Sequence, residues 1–361
     1  MRPIRILVDS FADEDALNAQ MTNARDIVSR LDAERFHVSM FVAGKADPRL
    51  VQRPSTRLMQ LPLRGQTLRI LSEFLWGRHD ILFYIKASPA VRAYLRMRPK
   101  WLDTRVVIGT AESQSDLRNE PTINPNHVRL WERTILRSDF IFSNSASVQA
   151  SLLKEYGISS EIIPTGVDTK FFAPAGGRAP SSRLRILFVG ALRPFKGPQL
   201  LLRAAVQFPS ADFAIAGDGI MSDDLRKQAE TEGLRNVQFL GSLNRASLRE
   251  QYRQADLFLF PSRWEGSPKV IMEAAACGVP VIARKDYAPE TVLHGQTGYL
   301  GGNDDELLAY IGELISNGGL RTQMGRSARA HIERFDWDLI TRQWEDVFIK
   351  LARRRGGPRG T

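Results

Sequence analysis

Apolar and polar positions divide the 361-residue chain into short hydrophobic runs separated by longer stretches of helical spacing. The runs fall at 4–8, 37–42, 81–85, 105–110, 140–143 and 161–164, and again at 185–189, 212–216, 237–240, 257–260, 280–283 and 298–300. Many are nearly continuous in large apolar residues, as in Leu257-Phe258-Leu259-Phe260. Such runs fit parallel strands buried on both faces. Strand then helix, repeated, builds parallel sheets with right-handed crossovers.

The pattern restarts once. A Pro/Gly/Ser-rich stretch at 173–182 reads as a linker, and a fresh strand follows at 185–189. The expected fold class is therefore α/β: two Rossmann-like, doubly wound domains facing across a cleft. The expected division is 1–175 for the first domain, on the acceptor side, and 183–335 for the second. A terminal helix at 336–352 and a basic tail at 353–361, read as disordered, complete the chain. Ligands of such folds bind at the carboxyl ends of the strands.

Composition narrows the class. Hydrophobic residues make up 43% and charged residues 25%, ordinary for a globular protein. No apolar stretch approaches the roughly 20 residues needed to span a bilayer, and no secretory leader opens the sequence, so the expected location is cytoplasmic, peripheral to the inner face of a membrane. The net charge of +10 fits a nucleic acid, an anionic membrane or an anionic small molecule. The cations are scattered and form no known nucleic-acid module, so nucleic acid is not expected as a partner. The single Cys277 and the five histidines offer no metal-ligand spacing.

Chemistry concentrates in the second half. After the strand ending at Phe260, a loop carries Glu265 and Gly266, Ser267 is placed to cap a helix, and Pro268 to open it. Backbone N–H groups near Lys269 and Val270 then sit at a helix N-terminus, which favours an anion. Glu273 leans back toward that mouth and is placed to accept hydrogen bonds from a ribose diol; the alternative is a solvent-facing residue paired with Lys269 four positions earlier. Glu265 can reach hydroxyls of an attached sugar. A second loop, Gly190 to Pro198, brings Arg193 and Lys196 to the mouth of the sheet, either to clamp a diphosphate or as an ordinary basic loop. Gly217 and Gly241 end successive strands, where small residues admit a close ligand or simply a turn.

Together these residues resemble the retaining glycosyltransferases of family 4, the group 1 glycosyl transferases, which have the GT-B fold. The resemblance rests on the Gly190…Lys196-Gly197 loop, the Gly217-Asp218-Gly219 turn and Glu265 eight positions before Glu273. It continues through 275–281, Pro289-Glu290, 294–300 and Phe335-Asp336-Trp337, and in the first half through 163–168 with Phe171. The resemblance implies that Glu273 holds the donor ribose, Glu265 faces the donor sugar and Lys196 binds the diphosphate. It also implies that the final helix returns to the first domain. The implied reaction is a metal-independent transfer, with retention, of a hexose-type sugar. The donor is a UDP- or GDP-sugar and the acceptor a glycan or a lipid-linked molecule, in cell-surface polysaccharide or glycolipid synthesis. The nucleotide-sugar is a substrate and no cofactor is implied.

Three positions depart from the family pattern. Ala191 replaces the arginine after the strand glycine, leaving Arg193 to substitute. Asp9 to Ala16 stands where a glycine-rich loop is usual, and Glu112 lies near the site of a histidine that contacts the donor sugar. Asp13 and Asp15 match an Asp-x-Asp pattern that binds Mg²⁺ in a different glycosyltransferase fold, a reading the second-half motifs oppose. No Gly-x-Gly-x-x-Gly supports a dinucleotide oxidoreductase. A non-catalytic sugar- or nucleotide-binding module and an epimerase or phosphorylase of the same fold are the rival readings. Finally, Arg92, Arg96, Arg98, Lys100 and Trp101 interleave cations with apolar residues, either to touch an anionic membrane or as a packed helix with solvated arginines.

Overall fold

The computed structural model describes residues 2–14, 19–98, 105–111, 125–176, 183–287 and 289–353. It contains two compact units: 1–165 with 337–361, and 166–336.

In unit 1 the order is β1 (Ile4–Phe11), α1 (Ala19–Val28), β2 (Phe36–Val42), α2 (Pro48–Gln52), β3 (Thr56–Gln60), α3 (Gln66–Trp76), β4 (Ile81–Phe83), α4 (Pro89–Met97), β5 (Val106–Ala111), α5 (Pro125–Glu132), β6 (Phe140–Ser143), α6 (Ala146–Tyr156) and β7 (Glu161–Ile162). All strand pairs are parallel, in the order β3-β2-β1-β4-β5-β6-β7. The strand β3 is not among the runs marked by the apolar pattern. Its sequence, Thr-Arg-Leu-Met-Gln, has one β-branched residue, and it lies at the sheet edge, where burial on both faces is not required. Ile6 and Val8 face one core and Leu7 the other, as period-two alternation requires of a strand covered on both sides.

Unit 2 runs β8 (Arg185–Val189), α7 (Gln199–Gln207), β9 (Asp212–Ala216), α8 (Ser222–Thr231), β10 (Val237–Gly241), α9 (Arg245–Gln254), β11 (Leu257–Phe260), α10 (Lys269–Ala276), β12 (Val281–Arg284), β13 (Gly298–Gly301), α11 (Asp304–Ser316) and α12 (Gly318–Ile332). Its parallel sheet has the order β10-β9-β8-β11-β12-β13.

The division falls at 165/166, ten residues before the end of the first domain as read from the sequence. Residues 166–175 are held by unit 2: Val167 N–H donates to Phe335 O at 2.9 Å, and Phe172 packs edge-on against Tyr252. The last helix, α13 (Trp337–Arg353), belongs to unit 1. Trp344 and Phe348 lie 4.6 and 4.9 Å from the Phe83 ring, and Asp32 N–H donates to Glu345 Oε1 at 2.8 Å. Burying two aromatic rings contributes several kcal/mol by area, at roughly 1.5–3 kcal/mol for each. That burial explains why the tail of the chain returns to the first sheet.

Candidate active site

The candidate residues Lys196 and Glu265 meet at the carboxyl ends of β8 and β11, the two strands between which the strand order reverses. After β8 the chain makes a short 3-10 turn, Pro194–Lys196, and Gly197 adopts a left-handed φ of 66° before α7 begins. A side chain at Gly197 would also press on the Pro261 carbonyl, 3.0 Å from the Cβ position. Glycine there lets the β8 loop lie on the β11 loop. Across that contact Lys196 Nζ pairs with Glu265 Oε1, and Ser262 Oγ donates to the same oxygen at 2.7 Å. The Lys196 and Glu265 side chains are 17% and 14% exposed, so the pair is mostly buried without being sealed from solvent. Phe195 and Trp264 stack at 5.9 Å and 15°, clamping the two loops beside the pair.

Glu273 lies on α10, and Tyr252 on α9 donates its hydroxyl to Glu273 Oε2 at 3.0 Å. Tyr252 is fully buried, and burial pushes its phenol well above the usual range, so it remains a donor at neutral pH. The contact orients one face of the carboxylate.

Two details of the sequence reading change. Pro268, not Ser267, occupies the N-cap position, and helical residues begin at Lys269. Pro268 has φ −71° and ψ 112°, an extended rather than helical conformation, so Ser267 stands one position too early to cap. The opening N–H groups still belong to Lys269 and Val270, which lack intrahelical acceptors by position. The glycines also have structural reasons. A Cβ on Gly217, at φ 133°, would lie 1.9 Å from the Gly190 carbonyl oxygen. Gly190 N–H donates to Ala216 O at 3.0 Å and Gly217 N–H to Gly241 O at 2.8 Å, so Gly190, Gly217 and Gly241 lace three strand ends together. Arg193 is exposed, and its guanidinium makes no hydrogen bond or ion pair with any described residue.

Sequence reasoning missed three residues. Ser262 is three positions before Glu265, a local signal that was available. Tyr252 comes from a different helix and has no local signal. Tyr287 is buried, its hydroxyl has no hydrogen-bond partner among the described residues, and burial, helped by the nearby Glu265 carboxylate, raises its pKa well above the usual range.

In unit 1, Glu112, Lys100, Trp101 and Asp15 lie outside the described residues. Arg92 and Arg96 are exposed on α4. Arg98 is not the surface cation expected of it: its side chain is 5% exposed and pairs with Asp139 at 2.9 Å. The Asp13 carboxylate accepts from the N–H groups of Ala43, at 3.1 Å, and Gly44. A cavity at the carboxyl ends of β4, β5 and β6 is lined in part by Asn23, Tyr84, Thr110, Asn144 and Trp337. The buried carboxamide oxygens of Asn23 and Asn144 there have no hydrogen-bond partner among the described residues.

With this geometry in view, comparison with known proteins is informative. The model of the family "Glycosyl transferases group 1" matches residues 170–331. A GDP-mannose-dependent alpha-(1-6)-phosphatidylinositol monomannoside mannosyltransferase of Mycolicibacterium smegmatis is 27% identical, with 88% of this chain and 86% of that protein covered. A D-inositol 3-phosphate glycosyltransferase of Corynebacterium jeikeium is 30% identical, covering 70% and 67%. The chain spans only 55% of the similar enzyme of Streptomyces bingchenggensis, at 29% identity. Among solved structures, sucrose-phosphate synthase from Thermosynechococcus elongatus superposes with a TM-score of 0.81 at 18% identity, covering 97% of this chain and 99% of that one. Anabaena HepE, in complex with UDP and glucose, gives 0.73 at 21%, covering 96% and 99%.

Proposed function

The chain belongs to the group 1 glycosyl transferases, with the GT-B fold, and from that premise we propose that it moves a hexose from a nucleotide-sugar to a glycan or lipid-linked acceptor. One observation carries the reading. Lys196 and Glu265 meet across the loops that leave β8 and β11, the switch point of one sheet, and Glu273, held by Tyr252, lies on the helix α10 that follows the same β11 loop. In the proposed reaction Glu273 accepts hydrogen bonds from the donor ribose. The diphosphate competes for the Lys196 ammonium, helped by the N–H groups of Lys269 and Val270 and by Arg193. Glu265, released from Lys196, accepts from hydroxyls of the donor sugar while Ser262 holds its place.

Positive charge from lysine, arginine and a helix terminus is what a departing nucleoside diphosphate needs. That supply supports a metal-independent transfer. Retention at the anomeric carbon follows if the acceptor hydroxyl attacks on the leaving-group face and a donor phosphate oxygen takes its proton. Glu265 is then a positioning and electrostatic group. The donor is a GDP- or UDP-sugar, and the GDP-mannose dependence of the mycobacterial relative makes GDP-mannose the first to test. The test is product formation with GDP-mannose and UDP-glucose, with and without a chelator. Transfer that persists under chelation supports the proposal, and loss restored by Mg²⁺ or Mn²⁺ overturns its metal-independence.

The acceptor side is proposed to work at an anionic membrane. No helix among the described residues is long and apolar enough to cross one. Arg92 and Arg96 are exposed on α4, whose Tyr94 packs on Phe74 of α3, and α3 leaves Leu68 and Trp76 exposed at 72% and 77%. Exposed cations and large apolar side chains on packed helices suit a headgroup interface. Sedimentation with acidic vesicles should weaken with salt and with Arg92/Arg96→Glu. Equal binding to neutral vesicles would remove this patch from the account.

A further inference from the structure

Unit 1 has its own switch point, between β1 and β4, and a charged couple sits there that the donor chemistry does not use. The chain leaves β1 toward β2 and β3, then returns past β1 to β4 and continues the other way. At this point β1 is irregular. Val8 is opposite Met40 and Phe11 opposite Phe41, so Asp9 and Ser10 have no partner in β2. Such bulges re-aim side chains and recur beside active sites. β4 ends at Phe83, and Tyr84 takes a left-handed φ of 55°, uncommon for a bulky residue. Two residues on, Lys86 N–H donates to Asp9 Oδ2 at 2.8 Å.

The side chains themselves are left unfinished. Lys86 Nζ rests 3.7 Å from the centroid of the Phe11 ring. It forms no ion pair with Asp9 and no hydrogen bond with any described residue. Asp9 is 4% exposed, and the bond from Lys86 N–H is the only hydrogen bond its carboxylate receives from a described residue. Two charges held near each other, largely out of water and not in contact, are costly to maintain. Burial accordingly pushes Asp9 up to about 6 and Lys86 down. A couple kept for stability alone would close into an ion pair.

We propose that Asp9 and Lys86 form a recognition couple for the acceptor, reading two neighbouring hydroxyls of a sugar or cyclitol ring. Asp9 accepts a hydrogen bond from one hydroxyl, Lys86 Nζ donates to the other, and the Phe11 face fixes the ammonium between them. A polyol fits better than a phosphate because both Asp9 and Asp13 lie within electrostatic reach of Lys86, leaving no net positive charge to offer an anion. This inference rests on the chain being a glycosyltransferase, and it names the acceptor chemistry.

The experiment uses the full chain, with myo-inositol and methyl α-D-mannopyranoside as probes in saturation-transfer NMR. Wild type is compared with Asp9→Asn, Lys86→Met and Phe11→Leu, each checked by circular dichroism. GDP and UDP binding is measured separately by calorimetry. At least one polyol should bind wild type, and Asp9→Asn or Lys86→Met should weaken it by about tenfold or more, as expected for losing a hydrogen bond to a charged group. Phe11→Leu, which leaves both charged groups in place, should weaken it in the same direction, and nucleotide affinity should stay unchanged in all three. Failure of both polyols to bind wild type, or unchanged binding in the folded variants, overturns the couple. Failure of wild type to bind either nucleotide strikes instead at the donor reading.

Discussion

The two sheets place charged residues at equivalent points and treat them in opposite ways. In unit 2 the charges are in contact: at the switch point Lys196 and Ser262 with Glu265, and between α9 and α10 Tyr252 with Glu273. In unit 1, Asp9 and Lys86 meet through a backbone N–H while the ammonium lies on an aromatic ring. A contact network preorganises a site for one ligand class, and the donor, with a nucleotide, a diphosphate and a sugar, is such a ligand. An open couple leaves both charged groups available to hydroxyls of the proposed acceptor. The first arrangement also leaves a sequence signature, because loops that carry contact partners need set spacings. The second depends on a bulge and a left-handed tyrosine, which no spacing announces.

The comparison can be strained first at Lys196. Lys196→Ala should cut kcat/KM for the donor by about 10²–10³-fold, the usual loss when one preorganised electrostatic group is removed from a transition state. Lys86→Met should leave the donor KM untouched. A donor defect in both would erase the distinction between the sheets, and steady-state kinetics with a fixed acceptor decides it.

Next comes Gly217→Ala. The methyl group would meet the Gly190 carbonyl in a backbone conformation that other residues avoid, so the strand ends of unit 2 must separate. A loss of about 3 kcal/mol in unfolding free energy is expected. An unperturbed denaturation midpoint would show that Gly217 is there for a ligand instead.

Asp9→Asn should do the reverse. Burial pushes Asp9 up to about 6 in the folded chain from an ordinary 3.8, against the opposing pull of Lys86. Between those values the folded chain keeps a proton that the unfolded chain has lost, so this group's contribution falls as pH rises through the window. Asparagine carries no such penalty. The variant should be more stable than wild type by about 1–3 kcal/mol above pH 6, and equal to it near pH 4. Denaturation curves at the two pH values check the sign. Stabilisation accompanied by lost polyol binding is the pattern of a residue kept for function.

Much of the architecture was legible because buried parallel strands read as apolar runs, many nearly continuous, and of the thirteen strands among the described residues all but one overlap a run marked in the sequence. The exception, β3, lies at an edge, where that requirement lapses. The candidate donor residues Glu265, Glu273 and Lys196 were picked out by their spacing around glycine, serine and proline, and the structure brings Lys196 and Glu265 into contact. Tyr252 was not, because it reaches Glu273 from a helix 21 residues earlier in sequence. Arg98 was misread because position on an exposed-looking basic helix does not reveal Asp139, 41 residues on, which withdraws it from the surface. The Asp9–Lys86 couple is 77 residues apart and met only through the sheet order.

The central claim is that Glu273, oriented by Tyr252, binds the ribose of a nucleotide-sugar in unit 2. Its most direct test is calorimetric titration of GDP and UDP into wild type and Glu273→Gln, with circular dichroism to confirm the fold. Glutamine keeps the shape and an acceptor oxygen but removes the charge. A charge-assisted hydrogen bond is worth about 1.5–3 kcal/mol, so the Kd of the preferred nucleotide should rise by roughly 10- to 150-fold. A folded Glu273→Gln variant that binds the nucleotide as tightly as wild type would contradict the claim.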